Sequence, residues 1–194
     1  MDFFTDELDY CIANDWNFDF DTHEKTIVGE AEYIIKYKYM KGYIDDAEAT
    51  PYFEVLSRAV DECLDCLPLE NSVDLIVTTI PALETEQQKL SWYMADYAGR
   101  KLNAEFMALT LLHRKPETKN LPVSAKIKMW DSIYTSPDGL KYKYELSGKT
   151  VLVIDDLYQS GASMWSLAKH LKERGAREVM GLVAVKSQRD SDNI

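Results

Sequence analysis

Cysteine is scarce in this chain, with three thiols in 194 residues. An odd count in a chain without a leader-type start argues against a disulfide scaffold and for a reducing compartment. Cys63 and Cys66 form a single CxxC, but a zinc site needs a second pair or histidines, and the remaining cysteine is Cys11 alone. The pair also falls near the end of a predicted helix, whereas a redox CxxC opens one. Both therefore read as partly buried structural thiols. Long apolar runs are missing as well, since none approaches the roughly 18 residues of a membrane span. Residues 1–7 carry neither the basic region nor the apolar stretch of a signal peptide, and the expectation is a cytoplasmic protein that does not meet the membrane. Basic charge is short, with 22 Lys and Arg against 33 Asp and Glu and a net charge of −11. That balance argues against non-specific nucleic-acid binding, while a small basic pocket for a polyanion stays compatible with it. Internal repeats and low-complexity tracts are absent.

What is present centres on residues 149–163. Val151, Leu152, Val153 and Ile154 form an unbroken apolar run rich in β-branched side chains, the pattern of a strand buried on both faces. Asp155 and Asp156 stand at its carboxyl end. Gln159, Ser160, Gly161, Ala162 and Ser163 follow and lead into a predicted helix over 164–174. In an open parallel sheet, ligands bind beyond the carboxyl ends of strands, where a loop meets a helix N-terminus. Free N–H groups and the helix dipole favour a phosphate there. Gly161 permits close backbone approach, and Ser160 and Ser163 add hydroxyls. The acid pair can accept hydrogen bonds from two neighbouring hydroxyls, as on a ribose. The combination suits a ribose 5-phosphate.

Around this stretch, strands alternate with helices. Residues 74–80 read as a buried strand stopped by Pro81, 105–112 as another and 178–185 as the last. One helix is expected to start at Pro51 behind the cap Thr50, to carry Phe53, Leu56, Val60 and Leu64 on one face, and to run to about Leu67. A second covers 84–102, and the one over 164–174 closes at Gly175. The alternation indicates an α/β fold, a Rossmann-like, mostly parallel sheet flanked by helices. Residues 51–194 make up this domain and the aromatic, acidic residues 1–50 a small N-terminal cap or flank, the two read as one compact unit. Within the flank, Phe4, Leu8 and Ile12 share a helical face. Residues 27–39, where β-branched and aromatic residues mix with Lys36 and Lys38, read as one or two strands, or a strand and a short helix. Residues 112–149 read as a long polar connection holding His113, Arg114, Lys115, Lys119, Lys126 and Lys128, with short strands at 132–134 and 142–144. A basic loop of that length is a candidate lid beside a phosphate site, and a solvated hairpin is the alternative. The residues beyond 186 read as frayed.

A dinucleotide fold places its Gly-rich loop first and its ribose acid about 20 residues later, and a P-loop ends in Gly-Lys-Ser/Thr. Here the acids come first and the hydroxyl-bearing loop follows at once. That order resembles the phosphoribosyl pyrophosphate (PRPP) motif of type I phosphoribosyltransferases, with Gln159, Ser160, Gly161, Ala162 and Ser163 where the family has Thr-Thr-Gly-x-Thr. Over residues 33–186 the arrangement is similar to the ComF-like branch. Residues 113–120 look like that branch's Arg-x-x-x-Thr stretch, 148–150 match the lead into the PRPP strand, and 175–179 match the segment after its helix. The resemblance implies a type I phosphoribosyltransferase core in which Asp155 and Asp156 bind the ribose hydroxyls and Asp156 helps the sugar's positive charge. It also implies that residues 159–163 hold the 5-phosphate and that Thr79, Ile80 and Pro81, with Lys89, occupy the pyrophosphate loop. Arg114, Lys115 or Lys126 would then stabilise the departing charge. Mg²⁺ is expected as cofactor, held mainly by PRPP, so that no protein side chain is assigned as a metal ligand. Two departures stand out. The branch's Arg-Gly-Phe-Asn run is replaced by residues 86–90, leaving Lys89 as the nearest cation, and its N-terminal zinc module is missing.

The function so implied belongs to nucleotide metabolism: transfer of ribose 5-phosphate from PRPP to a nucleobase-like nitrogen acceptor, with release of pyrophosphate. The alternative is a non-catalytic PRPP or nucleotide binder that biases a protein partner or a homodimer through the aromatic N-terminus. A receiver domain, which also carries Asp-Asp after a strand, fails on order because receivers place that pair on their first strand.

Overall fold

The computed structural model describes residues 7–69, 74–86, 89–116, 121–142 and 145–187. In chain order these form β1 (Tyr10–Trp16), α1 (Ile27–Tyr37), α2 (Asp46–Cys66), β2 (Leu75–Thr79), β3 (Ala82–Leu83), α3 (Leu90–Leu102), β4 (Glu105–Met107), β5 (Thr110–Leu111), α4 (Val123–Thr135), β6 (Leu140–Lys141), β7 (Thr150–Tyr158), α5 (Ala162–Glu173) and β8 (Glu178–Lys186). Five of the strands make a parallel sheet in the order β1-β8-β7-β2-β4, and β3, β5 and β6 make a small second sheet. This is the expected α/β fold. Among the described residues no helix is long and apolar enough to cross a membrane.

Alternation along β7 divides the core in two. Leu152 and Ile154 join Val77, Met180 and Leu182 under α1, α2 and α3, whereas Val151 and Val153 join Ile76, Val179 and Val183 under α4 and α5. Both faces of the sheet are covered, which is why its central strands read as continuous apolar runs.

Several elements differ from the expectation. Leu8 and Ile12 do not share a helical face: they lead into and lie on β1, the edge strand paired in register with β8 from Tyr10↔Met180 to Trp16↔Lys186. Leu8 enters one half of the core and Ile12 the other, so the apolar residues of this segment serve two faces of a sheet. Phe4 lies outside the described residues. Residues 27–39 are not strands but α1, capped by Thr26, whose hydroxyl accepts from Gly29 N at 3.0 Å and donates to Trp16 O at 2.6 Å. Val28, Ala31 and Ile35 recur at helical spacing and are buried; that period prevails over the β-propensity of the individual residues. Burying Ile35 is worth roughly 1.5–3 kcal/mol. Gly29 is needed here, because a Cβ would come within 2.3 Å of Asn17 O.

α2 starts before Pro51. Asp45 caps it, accepting from Glu48 N at 2.9 Å, and Glu48 returns the bond to Asp45 N at 3.2 Å. This reciprocal capping box sets the start, and Thr50 bonds Asp46 O instead of capping. Leu56, Val60 and Leu64 are buried as expected, and so is Cys63, while Cys66 is exposed; both are free thiols. The helix expected over 84–102 is a 3₁₀ turn at Glu84–Glu86 followed by α3, which begins after an extended Lys89.

The polar connection over 112–149 holds α4. Lys126, Trp130 and Tyr134, four residues apart, form its buried stripe, and residues 132–134 are therefore helical. Their polar neighbours hid the periodicity. Lys119 and the strand proposed at 142–144 fall wholly or partly outside the described residues, as do residues 188–194.

Candidate functional site

β2 and β7 are neighbours, and the chain leaves them in opposite directions: β2 passes through α3 to β4, and β7 through α5 to β8. The crevice between two such strands, at their carboxyl ends, is where parallel α/β sheets bind ligands. Thr79 pairs with Ile154 at that edge. The structure thereby brings Thr79 and the following Ile80 and Pro81 beside the start of the Asp155–Asp156 pair. Thr79 is buried, with its hydroxyl 3.4 Å from Ile80 O.

Asp155 and Asp156 still belong to β7, which runs four residues past the apolar stretch to Tyr158. Asp155 Oδ1 accepts from Asp156 N at 2.9 Å. Burial raises the Asp155 carboxyl well above the ordinary carboxylate range, and the neighbouring Asp156 charge adds to the rise. Asp156 has a partner that the sequence did not announce. Lys36 Nζ, from α1, lies 2.8 Å from Asp156 Oδ2 and 3.2 Å from Glu32 Oε1. Burial raises the Glu32 carboxyl, against the Lys36 charge. For Lys36 itself, burial would lower the ammonium, but the charges of Asp156 and Glu32 outweigh it and hold it above its ordinary value.

The turn after β7 is short. Gln159 is exposed and Ser160 buried. Gly161 takes a left-handed conformation at φ 72° and caps α5 with no side-chain hydrogen bond. A Cβ on Gly161 would come 2.0 Å from Tyr158 Oη, so the tyrosine ring lies across the turn in space that only glycine leaves open. Ala162 and Ser163 are the first residues of α5, whose opening N–H groups have no acceptor within the helix. Trp130 Nε1 donates to Ser163 Oγ at 3.1 Å, and Lys115 Nζ stands 5.0 Å from the Trp130 ring.

Asp155, Asp156 and residues 159–163 are thus contiguous at one strand-to-helix corner, with Thr79, Ile80 and Pro81 beside it and Lys115 linked through Trp130. Arg114 is exposed and, among the described residues, makes no ion pair. Lys89 is exposed at the start of α3. Lys126 is buried within α4 rather than carried on a loop. The resemblance to the Arg-x-x-x-Thr stretch ends in residues 117–120, outside the described residues. Lys36, Glu32, Trp130 and Tyr158 were missed. A Glu–Lys pair one turn apart beside Val28 and Ile35 is the signal that would have exposed the first two, once residues 27–37 were read as helix.

No family model matches the chain, and no curated protein is similar to it in sequence. Among solved structures it is similar to a hypoxanthine phosphoribosyltransferase from Staphylococcus aureus, with a TM-score of 0.45 and 12% identity over 71% of this chain and 68% of that one. It is similar to an adenine phosphoribosyltransferase from Thermoanaerobacter pseudethanolicus, with a TM-score of 0.43 and 12% identity over 73% and 83%. A third is phosphoribosylpyrophosphate synthetase from Mycobacterium smegmatis, with a TM-score of 0.42 and 12% identity over 68% of this chain and 33% of that one. The chain therefore spans about a third of the synthetase's length.

Proposed function

We propose that this chain is a phosphoribosyltransferase of type I kind, of the ComF-like branch, which binds PRPP and transfers its ribose 5-phosphate to a nitrogen acceptor, releasing pyrophosphate. One observation carries the reading: an acid pair, a glycine turn and an uncapped helix N-terminus follow one another at the crevice between β2 and β7. Asp155 and Asp156 would take the ribose hydroxyls. The N–H groups opening α5 and the hydroxyls of Ser160 and Ser163 would hold the 5-phosphate, with Gln159, Gly161 and Ala162 shaping the cradle. Thr79, Ile80 and Pro81, with Lys89, would flank the pyrophosphate, and Lys115 and Arg114 would meet the departing charge. Residues 1–50 and 51–194 act as one compact unit in this reading. The exposed Phe18, Phe20, Ile27 and Tyr37 are the proposed face for a protein partner or a second copy.

Magnesium would arrive on PRPP and neutralise pyrophosphate oxygens. Among the described residues no three His, Cys, Asp or Glu side chains form a group that could hold a metal, and no protein ligand is assigned.

A second reading, a PRPP or nucleotide binder without turnover, is favoured by one contact. Lys36 already neutralises Asp156, the acid assigned to the sugar's developing positive charge. Calorimetric titration of PRPP with Mg²⁺ into wild type and Asp155→Asn/Asp156→Asn, followed by a pyrophosphate-release assay over a nucleobase panel, separates the two. Binding lost in the variant together with release supports the transferase. Binding without release supports the binder, and no binding by wild type removes both.

A further inference from the structure

Glu32 and Lys36 lie one turn apart on α1, and Lys36 reaches from there to the end of β7. Its Nζ is 2.8 Å from Asp156 Oδ2 and 3.2 Å from Glu32 Oε1, and the two carboxylate side chains are only 14% and 3% exposed. A surface pair of this kind contributes little, but this one is largely withdrawn from water, where loss of one partner leaves charge uncompensated. An ammonium has three hydrogens; Asp156 Oδ2 lies close enough to take one, while Glu32 Oε1, farther off, meets the charge without a well-aligned hydrogen bond. Asp156 thereby turns Oδ2 to α1, and its carboxylate also shares a side-chain hydrogen bond with Asp155; a carboxylate oxygen keeps a second lone pair for a further donor. The groups that face this cluster are Glu32 and Lys36 from α1, Asp155 from β7, Lys25 before α1, which acts on Glu32, and the Tyr37 phenol beside Lys36.

We infer that Lys36 is a positioning residue of the candidate site: it pins one oxygen of Asp156 to α1 so that the other is presented to the hydroxyls of the ligand. The inference rests on the reading of Asp156 as a ribose acceptor. It also makes α1 part of the binding site. Without the ammonium, three carboxylates confront one another with no bridging cation. Burial already favours a proton on Asp155; without the cation the cluster favours a further one, and a protonated carboxyl is a poorer acceptor.

Calorimetric titration with PRPP and Mg²⁺ tests this on wild type, Lys36→Met, Lys36→Arg, Asp156→Asn and the Lys36→Met/Asp156→Asn double variant. At neutral pH Lys36→Met should weaken binding roughly tenfold or more, and Lys36→Arg should restore most of it. The Lys36→Met affinity should climb between about pH 6 and about pH 9 more steeply than that of wild type. A role in folding alone would give no such slope. On the Asp156→Asn background, Lys36→Met should add little, since both act through one contact. Should Lys36→Met fail to fold, the wild-type Lys36 ¹⁵Nζ resonance must shift as PRPP saturates the protein, and an unmoved resonance overturns the inference. Wild type that binds PRPP while Lys36→Met binds equally well or tighter also overturns it and leaves the site reading intact. Wild type that binds no PRPP removes the site reading and the inference with it.

Discussion

Trp130 donates its indole Nε1–H to Ser163 Oγ at 3.1 Å, tying the middle of α4 to the second residue of α5. An indole nitrogen is only a donor, so the serine oxygen is the acceptor and its own hydrogen is left to point elsewhere. Trp130→Phe keeps the ring stacked on Tyr134, now at 5.4 Å, and removes the donor. Binding of a phosphate ligand should fall by about fivefold, the effect of one hydrogen bond worth about 1 kcal/mol, alongside a loss of stability from the space the smaller ring leaves in the core. Equal affinity of Trp130→Phe and wild type in calorimetry would detach Ser163 from the phosphate.

Gly161 carries a second prediction. At φ 72° an alanine costs about 1–2 kcal/mol of backbone strain, and its Cβ would displace the Tyr158 hydroxyl. Gly161→Ala should lower both stability and ligand affinity. Adding Tyr158→Ala removes the collision and not the strain, so denaturant unfolding should recover only part of the loss. Full recovery would show that the backbone there is unstrained.

The parts of the fold that could be read in advance are those whose signals are local. β7 and β8 are apolar on both faces, and α5 ends at Gly175, whose φ is 95°; such marks survive without knowledge of neighbours. α1 escaped because Tyr33, Ile34, Ile35 and Tyr37 favour strands one by one, while the helical repeat of Val28, Ala31 and Ile35 shows its value only against a sheet. α4 escaped for a related reason. Its buried stripe includes Lys126, and a lysine on the inner face spoils the apolar pattern. The site divides in the same way: Asp155 to Ser163 is one contiguous run, whereas Lys36 and Trp130 arrive from other helices through packing.

Cysteine reactivity checks the placement of α2. Cys63 is buried, and burial pushes its thiol up to about 11; Cys66 is exposed. A thiol reagent at neutral pH should label Cys66 in the native protein and reach Cys63 only on unfolding. Peptide mapping after a short pulse reads this directly, and equal labelling of the two would contradict the packing of that helix end.

His170 gives a dependence on pH. It stacks on Tyr134 at 4.8 Å, and burial, with the Arg174 charge behind it, lowers its pKa from 6.5 to about 4. The unfolded state therefore binds more protons between those values, and stability falls as pH drops through that window. The contribution at stake is on the order of 3 kcal/mol. His170→Phe retains an aromatic ring without a titrating nitrogen. The difference in unfolding free energy between wild type and variant should be flat above about pH 7 and should change steadily below it. A difference that stays flat to about pH 4 would place His170 in contact with water.

The pairing of β1 with β8 joins the earliest and the latest of the described strands, as in the contact of Asp9 Oδ2 with Val179 N at 2.8 Å. Such a pairing has a consequence for the order of assembly. Each other strand of the main sheet can find a partner among segments closer in sequence, but β1 must wait until β8 is in place. Closing so large a loop is slow, and in the interval Leu8 and Ile12, which the folded sheet covers, stand exposed. During synthesis that interval lasts until β8 emerges, so the fragment ending before β8 is the species most exposed to chaperones and to self-association.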